Sequence, residues 1–557
     1  MKKTKRYLAL MTASFLAITP MAATGLTAVA ADYDITVNNS IDNYAYKAYK
    51  IFAGDISGTT LSNIEWATGF NNADFVAALQ GDSTFGSDFT SKSTASEIAK
   101  VLAGYNETND VNKLAKFAKL AYANRGTVVA VDSDTLSGGT YTIPATEAGY
   151  YLIEESSVPS GKAVSRYMLK VTGPTNVTPK RPSPTINKTI TGGADSGKAN
   201  NVSIGDAVTY NITSAVPDMT GYDKYFFVIN DDMAAGLTFN NDVAITIGST
   251  TLTSSQFEVQ TDSTETDGHT FQIVFNDFYN TWKTHSGDTI SVTYSATLNE
   301  NANRTTIGNV NSASLTYSNN PNVSYTGINE PTGSDPVGTT PQSQTKTYTA
   351  NIKLTKKKGS DSSILTGAKF RLTGTSEKVV LVNGTAYQVD NTSGTYYKLK
   401  DGTFTTVSTG DPSVYDGTDK YKIVTNVSSS ETYTNICQEA YVKSDGTLEF
   451  GGLGAGTYTL SEIVTPSGYN SISDMTIVID GSGNTFASPA WSATKDGSAV
   501  TMTDTATVAF DVFNNEGATL PSTGGIGTKL FYLFGGLLVA GSVVFLVTKR
   551  RMNTREN

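Results

Sequence analysis

The chain has 557 residues, 41 Lys and Arg against 51 Asp and Glu, and a formal net charge of −10. That balance supplies no basic stripe to neutralise phosphates and excludes nucleic acid as the partner. One cysteine, Cys437, excludes an intrachain disulfide framework, and two histidines, His269 and His285, without HExxH or paired-Cys spacing point to no metal site and no cofactor.

In chain order, Lys2, Lys3, Lys5 and Arg6 precede an apolar stretch from Tyr7 to Thr19, and Ala28-Val29-Ala30 offers the small residues that a signal peptidase reads. Residues 1–30 therefore read as a secretory signal peptide. The remainder is long enough for about three domains of ordinary size. It is rich in Thr, Ser, Asn, Gly, Asp and Tyr. Period-two segments such as Ser291-Val292-Thr293-Tyr294-Ser295-Ala296-Thr297-Leu298 recur between Gly, Asn and Asp. This is the pattern of antiparallel strands in an all-β protein built of sandwiches.

The first domain, 32–180, is expected to open with strands Tyr33–Val37 and Tyr44–Phe52. Helices follow over Ala73–Leu79, Ala95–Leu102 and Val111–Ala123, where apolar residues recur at three- and four-residue spacing. Strands Gly149–Glu154 and Tyr167–Val171 close it. Thr178-Pro179-Lys180-Arg181-Pro182-Ser183-Pro184 then forms an extended, proline-stiffened boundary. A middle domain is expected over 181–345, its last part (329–344) reading as a Pro-, Gly-, Thr- and Ser-rich linker. A third domain over 346–518 carries a long polar insertion, about 375–430. The tail is 520–557.

That tail holds Leu520-Pro521-Ser522-Thr523-Gly524, an apolar or small-residue run from Leu530 to Val547, and Lys549-Arg550-Arg551. The run is long enough for a helix to cross a bilayer, and the basic cluster keeps the C-terminus on the cytoplasmic side. This order of parts resembles the cell-wall sorting signal of Gram-positive surface proteins. The resemblance implies a secreted chain cleaved by a sortase between Thr523 and Gly524. Thr523 is then held as a thioester, passed to an amine, and the product is anchored to peptidoglycan.

The whole mature chain resembles the backbone (major) pilins of sortase-assembled Gram-positive pili. Val177-Thr178-Pro179-Lys180 is similar to that family's lysine motif, with one residue rather than two before the proline. It implies that Lys180 is the amine that attacks the Thr523 thioester of another subunit. The fold implied is tandem immunoglobulin-like, Cna-type β-sandwiches with some helix in the first domain. The partners implied are a sortase, identical subunits, ancillary pilins and peptidoglycan.

The third domain resembles the collagen-adhesin B-type domain through Ile352-Lys353-Leu354-Thr355-Lys356, Gly456-Thr457-Tyr458-Thr459-Leu460-Ser461-Glu462 and Phe510-Asp511-Val512-Phe513-Asn514. In that family such a Lys and Asn join spontaneously as an intramolecular isopeptide bond with a carboxylic acid as catalyst. The residues implied here are Lys356, Asn514 and Glu462, with Asn515 and either Lys353 or Lys357 as the register alternatives. The second domain resembles the A-type relative through Thr185-Ile186-Asn187-Lys188, Asn309-Val310-Asn311 and Phe227-Val228-Ile229-Asn230-Asp231-Asp232-Met233. It implies Lys188 and Asn311, with Asp231 favoured over Asp232 as the acid. In the first domain Lys47 and Asn176, with Glu154 or Glu155, are left as an open third set. An alternative function is a monomeric wall-anchored adhesin whose loops, including the third-domain insertion, bind a host-surface ligand. No enzyme motif appears beyond this self-crosslinking chemistry.

Overall fold

A computed structural model describes residues 33–106, 109–159, 162–179, 183–261, 268–374, 381–400, 404–406, 414–425, 437–503, 506–517 and 526–553. The signal peptide, Lys180 and the sorting pentapeptide Leu520 to Gly524 lie outside the described residues. The side chain of Cys437 does too, although its backbone opens the strand Cys437–Tyr441. The chain is mostly β, with four clusters of buried apolar side chains.

The first region pairs a three-stranded sheet with a five-stranded one. Its opening strand, Ile35–Asn38, lies between Thr140–Ile143 and the closing strand Thr175–Val177, which it meets in parallel. The helices occupy Asn72–Gly81, Ala95–Leu102 and Val111–Ala123. Thr94 and Glu97 form a reciprocal capping box at the start of the second helix. Phe75, Leu79, Ile98, Leu102, Phe117 and Ala121 turn inward onto Tyr49, Phe52 and Leu152 of the sheet.

The second region is a sandwich of a seven-stranded and a six-stranded sheet. In Thr289–Leu298, Ile290, Val292, Tyr294, Ala296 and Leu298 are buried while the intervening residues are not, as period two requires. The segment 329–344, expected to be a linker, is instead part of this sandwich. Val337–Thr339 pairs with Asn309–Ser318, and Ser343–Tyr348 lies beside the same strand. The preceding turn is fixed by Asp335, whose carboxylate accepts from the backbone of Thr326, Gly327 and Thr332 at 2.8–2.9 Å. The Pro and Gly residues that suggest a linker therefore serve a tight loop. The Ser343–Tyr348 strand also crosses the expected boundary at 345/346, because Thr345, Thr347 and Tyr348 are buried.

The third region sets a five-stranded sheet against a ten-stranded one. Its opening strand, Ala350–Lys358, runs parallel to the closing strand, Thr507–Asn514. The insertion is not an irregular loop. It contributes Thr385–Val389, Tyr396–Leu399 and Tyr415–Thr425 to the longer sheet. A final helix, Ile526–Asn553, includes a 24-residue candidate membrane span from Lys529 to Met552, whose most apolar 18 residues have a mean hydropathy of 2.4.

Candidate functional site

Lys188 lies on the strand Asn187–Ile190, at the edge of the six-stranded sheet. Period two turns Lys188 inward together with Ile190. Asp231 and Asn311 come from adjacent strands of the facing sheet, where Asp231 opposes Ala313 and Met233 opposes Asn311. Lys188, Asp231 and Asn311 have no solvent exposure. Lys188 Nζ donates to Asp231 Oδ2 at 2.7 Å and is in very close contact with Asn311 Oδ1. The rings of Tyr210 and Tyr294 flank Nζ, with centroids 5.3 and 5.4 Å away. Tyr294 Oη donates to Asp231 Oδ2 at 2.7 Å and accepts from Asn311 Nδ2 at 3.0 Å.

Burial governs the ionisation here. It pushes the Lys188 ammonium down to about 8 against the opposing pull of Asp231, and raises the Asp231 carboxyl. Both shifts favour an uncharged amine beside a protonated acid. The neighbouring Asp232 contributes only its charge, which acts to raise both groups, because its Oδ1 lies 2.8 Å from His269 Nδ1.

The third region holds a second such set. Ile352, Leu354 and Lys356 are fully buried on one face of their strand, and Val512 and Asn514 on one face of theirs. Lys356 stands opposite Val512 in the parallel pair, and its Nζ donates to the Val512 carbonyl at 3.2 Å. Asn514 Nδ2 donates to Glu462 Oε2 and Oε1 at 2.9 and 3.1 Å, and to the Asn470 carbonyl at 3.0 Å. Asn514 Oδ1 is buried without a hydrogen-bond partner. Burial lowers Lys356 to about 8, with Glu462 opposing. The register neighbours point elsewhere: Lys353 and Asn515 are exposed, and Lys357 pairs with Asp511 at 2.7 Å.

In the second region the amine of lowered basicity meets a carboxamide directly. In the third the amine and the carboxamide are buried on adjacent parallel strands, with a carboxylate bonded to the carboxamide. Each set thus has the groups that a nucleophile, an acyl group and a proton carrier would require. The first region has no equivalent. Lys47 is part-exposed and pairs with Asp132 at 3.3 Å in the five-stranded sheet, whereas Asn176 is exposed in the three-stranded one. Glu154 accepts from Tyr49 and Tyr122, and Glu155 from the Ser165 backbone. Lys47 and Asn176 are not brought together, because Lys47 alternates with the inward Tyr46 and Ala48 and Asn176 is exposed, so both side chains face away from the core. Tyr294 and Tyr210 were missed by sequence reasoning. Period two marks Tyr294 as inward, but no local signal says that its hydroxyl reaches the Lys188 set.

Three stretches of the chain match known families. Residues 204–321 match the Gram-positive pilin backbone subunit 2, Cna-B-like domain. Residues 431–489 match the SpaA prealbumin-like fold domain, and residues 514–554 the LPXTG cell wall anchor motif. Together these matches support a Gram-positive backbone pilin. The pilin is 29% identical over 396 residues to the trypsin-resistant surface T6 protein of Streptococcus pyogenes serotype M6, covering 66% of this chain and 69% of that one. The solved T6 backbone pilin of serotype M6 S. pyogenes, a modular three-domain structure with variable loops and extensions, shares its fold. The TM-score is 0.50 at 16% identity, over 87% of this chain and 98% of that one. The pilin is thus a cell-wall-anchored surface protein, and its apolar C-terminal helix fits the membrane-spanning part of the anchor. Its family is structural rather than enzymatic, with sortase and pilin subunits as its general partners.

Proposed function

We propose that this pilin is the shaft subunit of a covalent polymer in which a sortase joins the Thr523 carbonyl to the Lys180 amine of the next subunit. We further propose that its second and third domains staple themselves through Lys188–Asn311 and Lys356–Asn514 bonds. The observation that carries the staples is the burial of two amines, each on the opening strand of its domain: Lys188 in contact with the buried Asn311 carboxamide, and Lys356 on the strand adjacent to the one that buries Asn514. A lysine buried without such chemistry is a costly residue, and two of them in matching places call for a common reason.

In each domain the neutral Nζ adds to the carboxamide Cγ. One proton leaves Nζ, one is delivered to Nδ2, the Cγ–Nδ2 bond breaks and ammonia departs, so the new amide forms with no net change of charge. Asp231 or Glu462 carries the proton. The sorting pentapeptide and the proline-flanked Lys180 support the intersubunit link, since an amine that must enter a sortase needs an exposed, stiff setting. Ancillary pilins and peptidoglycan complete the set of partners.

The test of polymerisation is a denaturing gel of wall extracts boiled in detergent. Wild-type chain gives a high-mass ladder, and Lys180→Ala abolishes it. An undiminished ladder from Lys180→Ala overturns the assignment of that lysine. For the staples, intact mass falls short of the sequence mass by about 34 Da, two molecules of ammonia, beyond the terminal processing.

A further inference from the structure

We propose that Tyr294 is a catalytic residue of the second-domain crosslink, carrying the proton from Asp231 to the departing nitrogen of Asn311. This step rests on the crosslinking reading given above.

The two acids reach different atoms. In the third domain both Glu462 oxygens accept directly from Asn514 Nδ2, the nitrogen that must leave. Asp231 is one methylene shorter. Its Oδ2 is engaged by Lys188 Nζ and Tyr294 Oη, and no hydrogen bond joins it to Asn311 among the described residues. Tyr294 Oη fills the gap, 2.7 Å from the acid and 3.0 Å from the leaving nitrogen. The ring is held by Tyr210, stacked at 5.3 Å, and by Phe271 edge-on at 5.1 Å. Burial raises the phenol well above its usual range, so the hydroxyl keeps its proton until one is demanded.

The direction of the Tyr294–Asn311 contact reverses during the reaction. In the planar amide the nitrogen lone pair is delocalised, and Nδ2 donates to Oη. When Lys188 Nζ adds to Cγ, the carbon becomes tetrahedral and the lone pair localises on Nδ2. Oη then donates to Nδ2 and is reprotonated by Asp231 Oδ2, while Asp231 takes the surplus proton from Nζ. Cγ–Nδ2 breaks, ammonia leaves, and Tyr294 and Asp231 end in the protonation states in which they began.

The experiment is a time course of crosslinking in the full chain after synthesis, read by mass spectrometry of the branched peptide that joins Lys188 to Asn311. The Lys356–Asn514 peptide serves as the internal reference. Tyr294→Phe is expected to slow the second-domain link by about 100-fold or more, the scale of general acid catalysis, and to leave the third-domain link at its normal rate. An equal rate in Tyr294→Phe overturns the role of Tyr294. If Tyr294→Phe fails to fold, a fluorinated tyrosine at position 294 decides. It keeps the ring and hydroxyl but changes the acidity, so a shifted rate supports the relay and an unchanged rate overturns it. A wild-type chain that lacks the Lys188–Asn311 peptide overturns the crosslinking reading itself, a result distinct from either of these.

Discussion

The second and third domains assemble the same three kinds of side chain in opposite ways. In the second, lysine comes from one sheet while acid and amide come from the other, so the pair spans the sandwich. In the third, lysine and amide sit on neighbouring parallel strands of one sheet, and the acid reaches them from across the core. The acid follows the arrangement. Asp231 is sealed and bonds to the amine, with a tyrosine bridging to the amide. Glu462 is half-buried and bonds to the amide itself, as well as to Thr465 Oγ1. The difference teaches that the proposed crosslinking would require proximity and a dry amine, not one particular set of strands.

The largest effect that tests this contrast is removal of each lysine. Lys188→Ala removes a loop-closing bond, with an effect of about 4–5 kcal/mol by analogy with a disulfide closing a long loop. It also leaves Asp231 buried without its amine partner, a penalty of about 1–3 kcal/mol for a neutral polar group. Lys356→Ala loses the bond alone, since Glu462 keeps Asn514 and Thr465. Calorimetry of the two chains should show the second domain losing more than the third; equal losses would remove the distinction between a sealed and a half-open acid.

Next comes Glu462→Ala. Its third-domain peptides should regain about 17 Da, the mass of one ammonia, while the Lys188–Asn311 peptide is unchanged, and the domain should become easier to digest. A Glu462→Ala chain that still carries both links shows that the acid is dispensable.

A smaller effect concerns pH in chains that cannot crosslink. In Asn514→Ala, folded Lys356 titrates near 8 and the unfolded residue near 10.5. Between these values the unfolded state binds more protons, so stability climbs as pH rises through that window and is lowest below it. Asn311→Ala should show the same alkaline rise from Lys188. It should also lose stability as pH rises above about 3.8, because folded Asp231 keeps its proton to higher pH than the unfolded residue. Urea midpoints across pH check both curves; the absence of that loss from Asn311→Ala would mean that Asp231 is charged in the fold.

The smallest change is expected from Lys47→Ala. It removes a part-exposed ion pair with Asp132, with a cost of at most about 1 kcal/mol and no change in mass beyond the substitution. A loss of several kcal/mol, read from the denaturation midpoint of the first domain, would reveal a crosslink there.

Much of this was legible in the sequence because strands announce their faces. Ile352, Leu354 and Lys356 alternate with outward residues, and so do Asn311, Ala313 and Leu315 with theirs, except that this central strand also buries Ser312 and Ser314. The three helices of the first domain were legible from their apolar spacing. The segment 329–344 was not, because Pro and Gly mark a tight loop and a linker alike. The failure of Lys47 to meet Asn176 was legible in part, because Lys47 alternates with the inward Tyr46 and Ala48 and so faces out. Which distant strands pair is not recorded in any local pattern. Tyr294 shows the same limit at atomic scale. Its inward direction is local, but the partner of its hydroxyl lies 63 residues away on another sheet.

The proposed staple across the second domain would also limit how far a pulled subunit can lengthen. Lys188 and Asn311 stand 123 residues apart in sequence. Unravelled, that stretch would release roughly 400 Å at about 3.3–3.6 Å per residue. With the bond in place, tension would pass from the strand of Lys188 to the strand of Asn311 through one amide. The intervening chain would carry no load and add no slack. In a fibre of such subunits, the part of each second domain left to lengthen would be the stretch after Asn311 that holds Val337–Thr339 and Ser343–Tyr348.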